Sequence, residues 1–336
     1  MKILVTGGAG YIGSHMCAEL LRLGHEIVVA DNFSNGTQAA LDGVKKISGS
    51  DFPFYETDIR DENALEKIFY EHKIDCVTHF AGLKAVGKSV SEPLEYYENN
   101  LNSTLTLCRT MRKHGVFRMI FSSSAATYSP ENSVPLTEDS VLGATNPYGR
   151  TKIMCEEILR DLCIAEPRFS VVLLRYFNAV GAHESGLIGD CPRGIPNNLM
   201  PFISQTAAGL HSELKIFGND YNTPDGTCIR DYIHITDLID GHVCAIEFSA
   251  ENAGCEVFNL GTGRGISVLE MVDAFDKTNG LKLPRSIAPR RPGDFPEAYA
   301  SPEKAEKMLK FRAKKSLEDM CRDTWKFQRN VPSEMR

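Results

Sequence analysis

The sequence predicts an α/β fold: a doubly wound parallel sheet followed by a smaller C-terminal lobe. Three observations carry this. Short apolar runs alternate with helical patterns over the first half of the 336 residues, the first run passes through a glycine-rich turn into a helix, and beyond residue 180 the texture changes to loops rich in Gly, Pro and Asn. Strand and helix in alternation demand a parallel sheet with right-handed crossovers.

The elements follow in order. Lys2-Ile3-Leu4-Val5-Thr6 reads as a buried strand and runs into Gly7-Gly8-Ala9-Gly10-Tyr11-Ile12-Gly13. A helix follows, with Ile12, Met16, Leu20 and Leu23 on one stripe and a stop at Gly24. Gly7, Gly10 and Gly13 suit a tight turn, close approach of backbone to a pyrophosphate, and close packing of helix on strand. The helix N-terminus offers free N–H groups and a positive dipole to phosphates. A second strand over 26–30 ends at Asp31, where a carboxylate can accept from both ribose hydroxyls and would repel a 2′-phosphate. Strand, turn, helix and acid together predict a Rossmann-type NAD site. Further strands are expected at 52–56, 76–80, 119–122 and 171–176. Ligands bind beyond the carboxyl ends of such strands, which directs attention to Asp58, to 80–84, to 122–124 and to Asn178.

The expected division is an NAD-binding domain over 1–179, with a return segment at about 228–262, and a substrate-binding domain over 180–227 and 263–336. Net charge is −7, which argues against nucleic acid or an anionic membrane as partner. Apolar runs long enough to span a bilayer are lacking, and the strand at residue 2 leaves no room for a signal peptide before it. The ten cysteines show no C-x-x-C and no framework spacing, so reduced thiols in a cytoplasmic protein are expected. The nine histidines lack metal-ligand spacing, and no metal site is expected.

The chemistry centres on Tyr148 and Lys152, four residues apart on one helix face. Asn146 suits the N-cap and Pro147 the first helical position. A free phenol ionises near pH 10, so service as a base near neutrality asks for a shift of about three units, roughly 4 kcal/mol. A neighbouring ammonium and a cationic nicotinamide would both favour phenolate. Alone the pair is a common coincidence; beside a dinucleotide site it reads as an acid–base dyad.

These residues resemble the extended short-chain dehydrogenase/reductase family and, within it, the UDP-hexose 4-epimerases. The glycine loop and Tyr-x-x-x-Lys mark only the superfamily. More specific are the stretches 81–86, 195–201 and 229–234, and the resemblance runs essentially end to end. It implies that Tyr11 and Ile12 line the pyrophosphate, that Asp31, Asn32, Phe33, Ser34, Asn35 and Gly36 surround the adenosine ribose, and that Asp58 and Ile59 border the adenine. It implies that Phe80, Ala81, Gly82, Leu83, Lys84, Asn99, Lys152 and Phe177 hold the rest of the NAD. Ser124 would bridge the sugar O4 and the Tyr148 phenol.

The activity implied is NAD-dependent 4-epimerisation of UDP-hexoses (UDP-glucose and UDP-galactose) through a transient 4-keto sugar. Affinity should come from the nucleotide diphosphate, leaving the hexose few fixed contacts. Arg230 and Arg291 would clamp the phosphates, with Asn178 and Asn198 as amide donors and Lys84 and Leu199 nearby. Asp294 would accept from the uridine ribose, and Phe217 or Tyr232 would flank the uracil or its ribose. A homodimer through 95–114 and 148–163 is the family expectation.

The chain departs from the family pattern in three places. Ala126 stands where threonine is usual, so a hydrogen bond to substrate would fall to another group such as Thr127. Ser129 replaces a glycine, which hints at a different loop. Ala298 aligns where some members carry tyrosine beside the hexose, and a small residue there leaves room for a 2-N-acetyl group. Interconversion of UDP-N-acetylglucosamine and UDP-N-acetylgalactosamine is therefore expected as well. The rival readings are a 4,6-dehydratase, a UDP-glucuronate-modifying enzyme and a non-catalytic dinucleotide sensor. The dehydratase needs an acid–base pair where this chain has Ala125 and Ala126.

Overall fold

A computed structural model describes residues 1–192, 194, 196, 198–291 and 293–331. In chain order the first half runs β1 (Lys2–Thr6), α1 (Tyr11–Arg22), β2 (Glu26–Asp31), α2 (Gln38–Ser48), β3 (Phe54–Glu56), α3 (Glu62–Glu71) and β4 (Cys76–His79). It continues through α4 (Val86–Ser91), α5 (Pro93–Lys113), β5 (Arg118–Ser122), a 3-10 turn (Ala125–Thr127), α6 (Pro147–Ala165) and β6 (Ser170–Tyr176). The remainder comprises β7 (Asn178–Val180), α7 (Leu199–Ala207), β8 (Leu214–Phe217), β9 (Ile229–His234), α8 (Ile235–Glu251) and β10 (Gly254–Leu260). Last come β11 (Gly265–Ser267), α9 (Val268–Asn279), β12 (Arg285–Ala288), β13 (Glu297–Ala298), α10 (Glu303–Met308) and α11 (Leu317–Asn330).

Seven parallel strands form the main sheet in the order β10-β6-β5-β4-β1-β2-β3. Strands buried on both faces should be apolar throughout, with alternate residues serving opposite sides. Ile3, Val5, Ile27, Val29, Val172 and Leu174 pack with Met16 and Leu20 of α1, Val44 of α2, and Leu238 and Ile246 of α8. The intervening residues Leu4, Val28, Val77, Met119, Val171 and Leu173 pack with Ile68 of α3, Met111 of α5 and Leu159 of α6. Each such side chain taken from water contributes roughly 1.5–3 kcal/mol.

A small lobe is built on β9, which pairs antiparallel with β11 and parallel with both β13 and β7, while β8 and β12 form a separate parallel pair. Its core joins Met200 and Ile203 of α7, Tyr232, Phe275 of α9 and Met320 of α11.

The structure corrects the sequence reading in detail. The segment 229–234 belongs to the small lobe, so the return to the main sheet begins only with α8 and is completed by β10. Helix α1 ends at Arg22, and Leu23 is exposed beyond it. The third strand starts at Phe54, although Phe52 is still buried in the core. Ile195 and Asn197, within one of the family-specific stretches, lie outside the described residues. The ten cysteines are free, and among the described residues no helix is long and apolar enough to cross a membrane.

Candidate functional site

A cleft lies beyond the carboxyl ends of β1, β2, β4 and β5. At its base the turn after β1 is held so tightly that side chains are excluded: a Cβ at Gly13 would stand 2.1 Å from the Gly7 carbonyl oxygen. Gly7 itself has φ +74° and abuts the Ala81 amide. Gly10 caps α1 without any side-chain partner, which leaves the first N–H groups of the helix directed at the cleft. This is a cradle shaped for a pyrophosphate.

Asp31 closes the far wall. Its carboxylate accepts from the Ala9 amide at 3.0 Å and the Phe33 amide at 2.8 Å, which fixes its orientation. Together with these, Tyr11, Ile12, Asn32, Ser34, Asn35, Gly36, Asp58, Ile59, Phe80, Ala81, Gly82, Leu83, Lys84, Asn99, Tyr148 and Lys152 line the cleft. Phe33 does not. It takes φ +53° and packs its ring on Phe54, 5.1 Å between centroids, so its part is to shape the loop. Phe177 lies deeper, in an apolar cluster with Tyr128, Leu136, Ala298 and Ala300.

The dyad is positioned as its cap residues predict. Asn146 accepts from the Gly149 amide at 2.9 Å, Pro147 opens α6, and Tyr148 and Lys152 follow one turn apart. Lys152 is buried, donates to the Ser122 carbonyl at 2.7 Å, and lies 6.0 Å from the centroid of the Tyr148 ring. The Ser124 hydroxyl stands near the Tyr148 phenol and accepts from the Ala126 amide at 3.1 Å.

In the protein's own field burial pushes the Tyr148 phenol above its ordinary value; the Ser124 hydroxyl opposes this and Tyr96 adds to it. Burial also lowers the Lys152 ammonium, against the pull of Cys155 and Glu156. The sequence reading asks for the opposite shift at Tyr148, and desolvation is the reason for the difference. A second correction concerns Thr127. Its hydroxyl is wholly buried and donates to the Ser124 carbonyl at 2.8 Å, so it does not stand in for the missing threonine at Ala126. Ser129 sits at a backbone conformation outside the left-handed region, and replacing glycine there costs no strain.

The small lobe supplies the rest. Arg230 lies 3.6 Å from Asp294 and over the Phe295 ring, and Arg291 lies 4.0 Å over the Phe217 ring. Ala298 is the register partner of Arg230, and Asn178, next to Phe177, pairs with Tyr232. Asn198 caps α7 with its side chain unused in capping, and Leu199 opens that helix. Tyr232 is only 2% exposed and belongs to the small-lobe core, whereas Phe217 is half-buried beneath Arg291. Phe177 and Ala298 share one apolar cluster, and Ala298 pairs with Arg230 on β9.

Sequence reasoning pointed to Ser122 by its place at a strand end but missed Tyr176; both line the cleft and share a hydrogen bond between their hydroxyls. It also missed 189–192, a stretch of the second lobe that forms part of the cleft wall beside Gly36 and Thr37. The strand-end rule could have found Tyr176, the last residue of β6; nothing local marks 189–192.

Over residues 3–261 the chain matches the model of the NAD dependent epimerase/dehydratase family. It belongs to that family. Among relatives of this epimerase/dehydratase, the UDP-glucose 4-epimerase of Bacillus subtilis (strain 168) is 56% identical over 328 residues, 98% of this chain and 97% of that protein. The UDP-glucose 4-epimerase of Bifidobacterium longum, solved in complex with NAD+ and UDP, superposes with a TM-score of 0.95 at 49% identity, covering 98% of each chain. A UDP-Glc/GlcNAc 4-epimerase from Campylobacter jejuni superposes at 0.86 with 38% identity, over 98% of this chain and 99% of the other. The epimerase/dehydratase fold and NAD dependence expected from the glycine turn and Asp31 hold for this chain.

Proposed function

We propose that this protein interconverts UDP-glucose and UDP-galactose by NAD-dependent 4-epimerisation. The observation that carries the reading is the Ser124–Tyr148–Lys152 constellation beside a dinucleotide cradle; Arg230 and Arg291 of the small lobe are the groups we assign to the diphosphate. The bound dinucleotide supplies a hydride acceptor and donor, and its cationic ring favours the phenolate that burial opposes. Tyr148 takes the proton of the sugar 4-hydroxyl, and Ser124 holds that hydroxyl in line. Lys152 anchors the site through Ser122. The clamp retains the nucleotide diphosphate while the 4-keto sugar turns, and Tyr148 then returns the proton. Ala125 and Ala126 move no protons, so the dehydratase reading lacks its acid–base pair.

A second reading is favoured by Ala298, the small register partner of Arg230 beside Phe177: UDP-N-acetylhexoses are accepted too. The exposed side chains of Leu94 on α5 and Met154 on α6 support a homodimer through these helices. The ten free thiols support a reducing, cytoplasmic setting.

The test is incubation with UDP-galactose and with UDP-N-acetylgalactosamine. UDP-glucose and UDP-N-acetylglucosamine are the expected products. A 4-keto-6-deoxy sugar, or no product, would overturn the epimerase reading, and failure of the acetylated pair alone would remove the second.

A further inference from the structure

Tyr148, Lys152 and Glu156 fall on one stripe of α6 at four-residue spacing. Glu156 is wholly buried, and so is its partner Arg175 on β6. Arg175 Nε donates to Glu156 Oε1 at 2.9 Å and Nη2 to Oε2 at 2.5 Å, a two-pronged pair. A buried ion pair is a poor source of stability, because desolvation offsets most of its attraction and an apolar pair of like volume serves as well. Its retention here has to be sought in what else it holds.

Glu156 Oε1 also accepts from Ser123 Oγ at 2.5 Å. Ser123 is the residue between Ser122, whose carbonyl receives Lys152, and Ser124, which meets the Tyr148 phenol. The other side of Arg175 reaches the 128–138 loop, which packs on the substrate lobe at Ala298 and Ala300: Nη1 donates to the Glu138 carbonyl at 3.1 Å and to Tyr128 Oη at 3.2 Å, and Tyr128 donates to Asn259 at 2.6 Å. Tyr128 packs in the cluster of Phe177 and Ala298.

We propose that Glu156, clamped by Arg175, is a positioning residue for the proposed epimerisation. By holding Ser123 it fixes the turn that presents Ser124 to Tyr148, and through Arg175 it keeps that turn in register with the hexose wall. The proposal rests on the reading that Ser124 and Tyr148 carry the proton transfer. The groups facing the Tyr148 phenol are the Ser124 hydroxyl and the Tyr96 and Tyr176 phenols, with the Lys152 ammonium at its ring. Of these, the Ser124 hydroxyl is the one that a loosened turn would carry away from the phenol.

Ser123→Ala in the NAD-loaded protein cuts the link and leaves the Glu156–Arg175 pair intact. Two quantities are read: kcat and KM for UDP-galactose, and the phenol titration of Tyr148 by difference absorbance, with Tyr148→Phe as blank. The expected result is kcat down about tenfold with KM within twofold, since misplacing a reacting group costs rate rather than binding. The phenol should titrate about half a unit higher, as loss of a hydrogen bond to the charged form requires. A folded, NAD-loaded variant with wild-type kcat or a wild-type phenol titration overturns the proposal. If the alanine variant does not fold, Ser123→Cys, close in volume and a poor donor, is judged by the same two quantities. If the wild-type protein does not epimerise UDP-galactose, the functional reading fails by itself and the phenol titration still decides this one.

Discussion

The Lys152 ammonium donates to the main-chain carbonyl of Ser122 at 2.7 Å, tying the second turn of α6 to the last residue of β5. The lysine thus braces the strand end from which Ser124 projects, in addition to placing positive charge near the Tyr148 ring. Replacing it removes a brace and a charge together. Lys152→Met should lower stability by about 1–3 kcal/mol, the cost of leaving the buried carbonyl without its donor. Turnover should fall by roughly a hundredfold or more, the usual worth of a positioned acid–base system. Denaturant unfolding and initial rates check the two effects separately, and a variant as stable as the wild type would show that the brace is idle.

Gly13→Ala should strip the protein of its dinucleotide. The added Cβ meets the Gly7 carbonyl oxygen and the Gly8 backbone, at 2.1 and 2.7 Å. Backbone does not yield as a flexible side chain does, so α1 must back away from β1 and widen the cradle. Absorbance at 260 nm relative to 280 nm in the purified variant measures retained cofactor; an unchanged ratio contradicts this.

Arg291→Ala should weaken UDP binding about tenfold while sparing kcat, because a contact held equally in ground and transition states affects binding alone. Calorimetry with UDP and steady-state rates measure the pair. A fall in kcat at unchanged affinity would place Arg291 in the chemical step.

Stability should decline with acid before the carboxylates titrate. Burial lowers His15 and His79 to about 3 and His242 to about 4, with smaller effects from their neighbours. These rings fold neutral, whereas in the unfolded chain they take up protons near pH 6.5. Their contribution is complete above pH 6.5 and is lost as pH falls toward 4. With three protons gained on unfolding, the slope is about 4 kcal/mol per pH unit between these limits. Urea midpoints at pH 7.5, 6 and 5 test this; equal midpoints would show that the rings are charged in the fold.

Much of the main sheet was legible because its strands are near-continuous apolar runs and its helices carry clear signals, a start at Asn146 and Pro147 and a stop at Gly24. The cofactor wall was legible because a glycine turn and a strand-end acid are local signals. The small lobe was less so. Ile229–His234 has the same apolar texture as a central strand, and only its partners β11, β13 and β7 assign it to the other sheet. Tyr232 and Thr127 illustrate the same limit, since spacing supplies a ring or a hydroxyl and says nothing of whether packing or a Ser124 carbonyl has already claimed it. The rise at Tyr148 arises from desolvation, which no linear pattern encodes.

Residues 187–192 come from the second lobe, with 189–192 lining the cleft and 187–189 held against two helices. Ile188 and Leu187 close on Gly43 of α2, where a Cβ would meet them at 2.6 and 2.9 Å, and Gly189 lies flat against Phe327 of α11. Lifting this strap from α2 and from the C-terminal helix would widen the way out for anything seated on the Gly7–Gly13 turn. Cofactor exchange then becomes a local unfolding event, whose frequency is set by how well the last helix is packed rather than by contacts to the nucleotide. The ratio of NAD to NADH in the surroundings would be sampled when the chain folds and seldom afterwards, making each molecule's redox state an inheritance of its assembly.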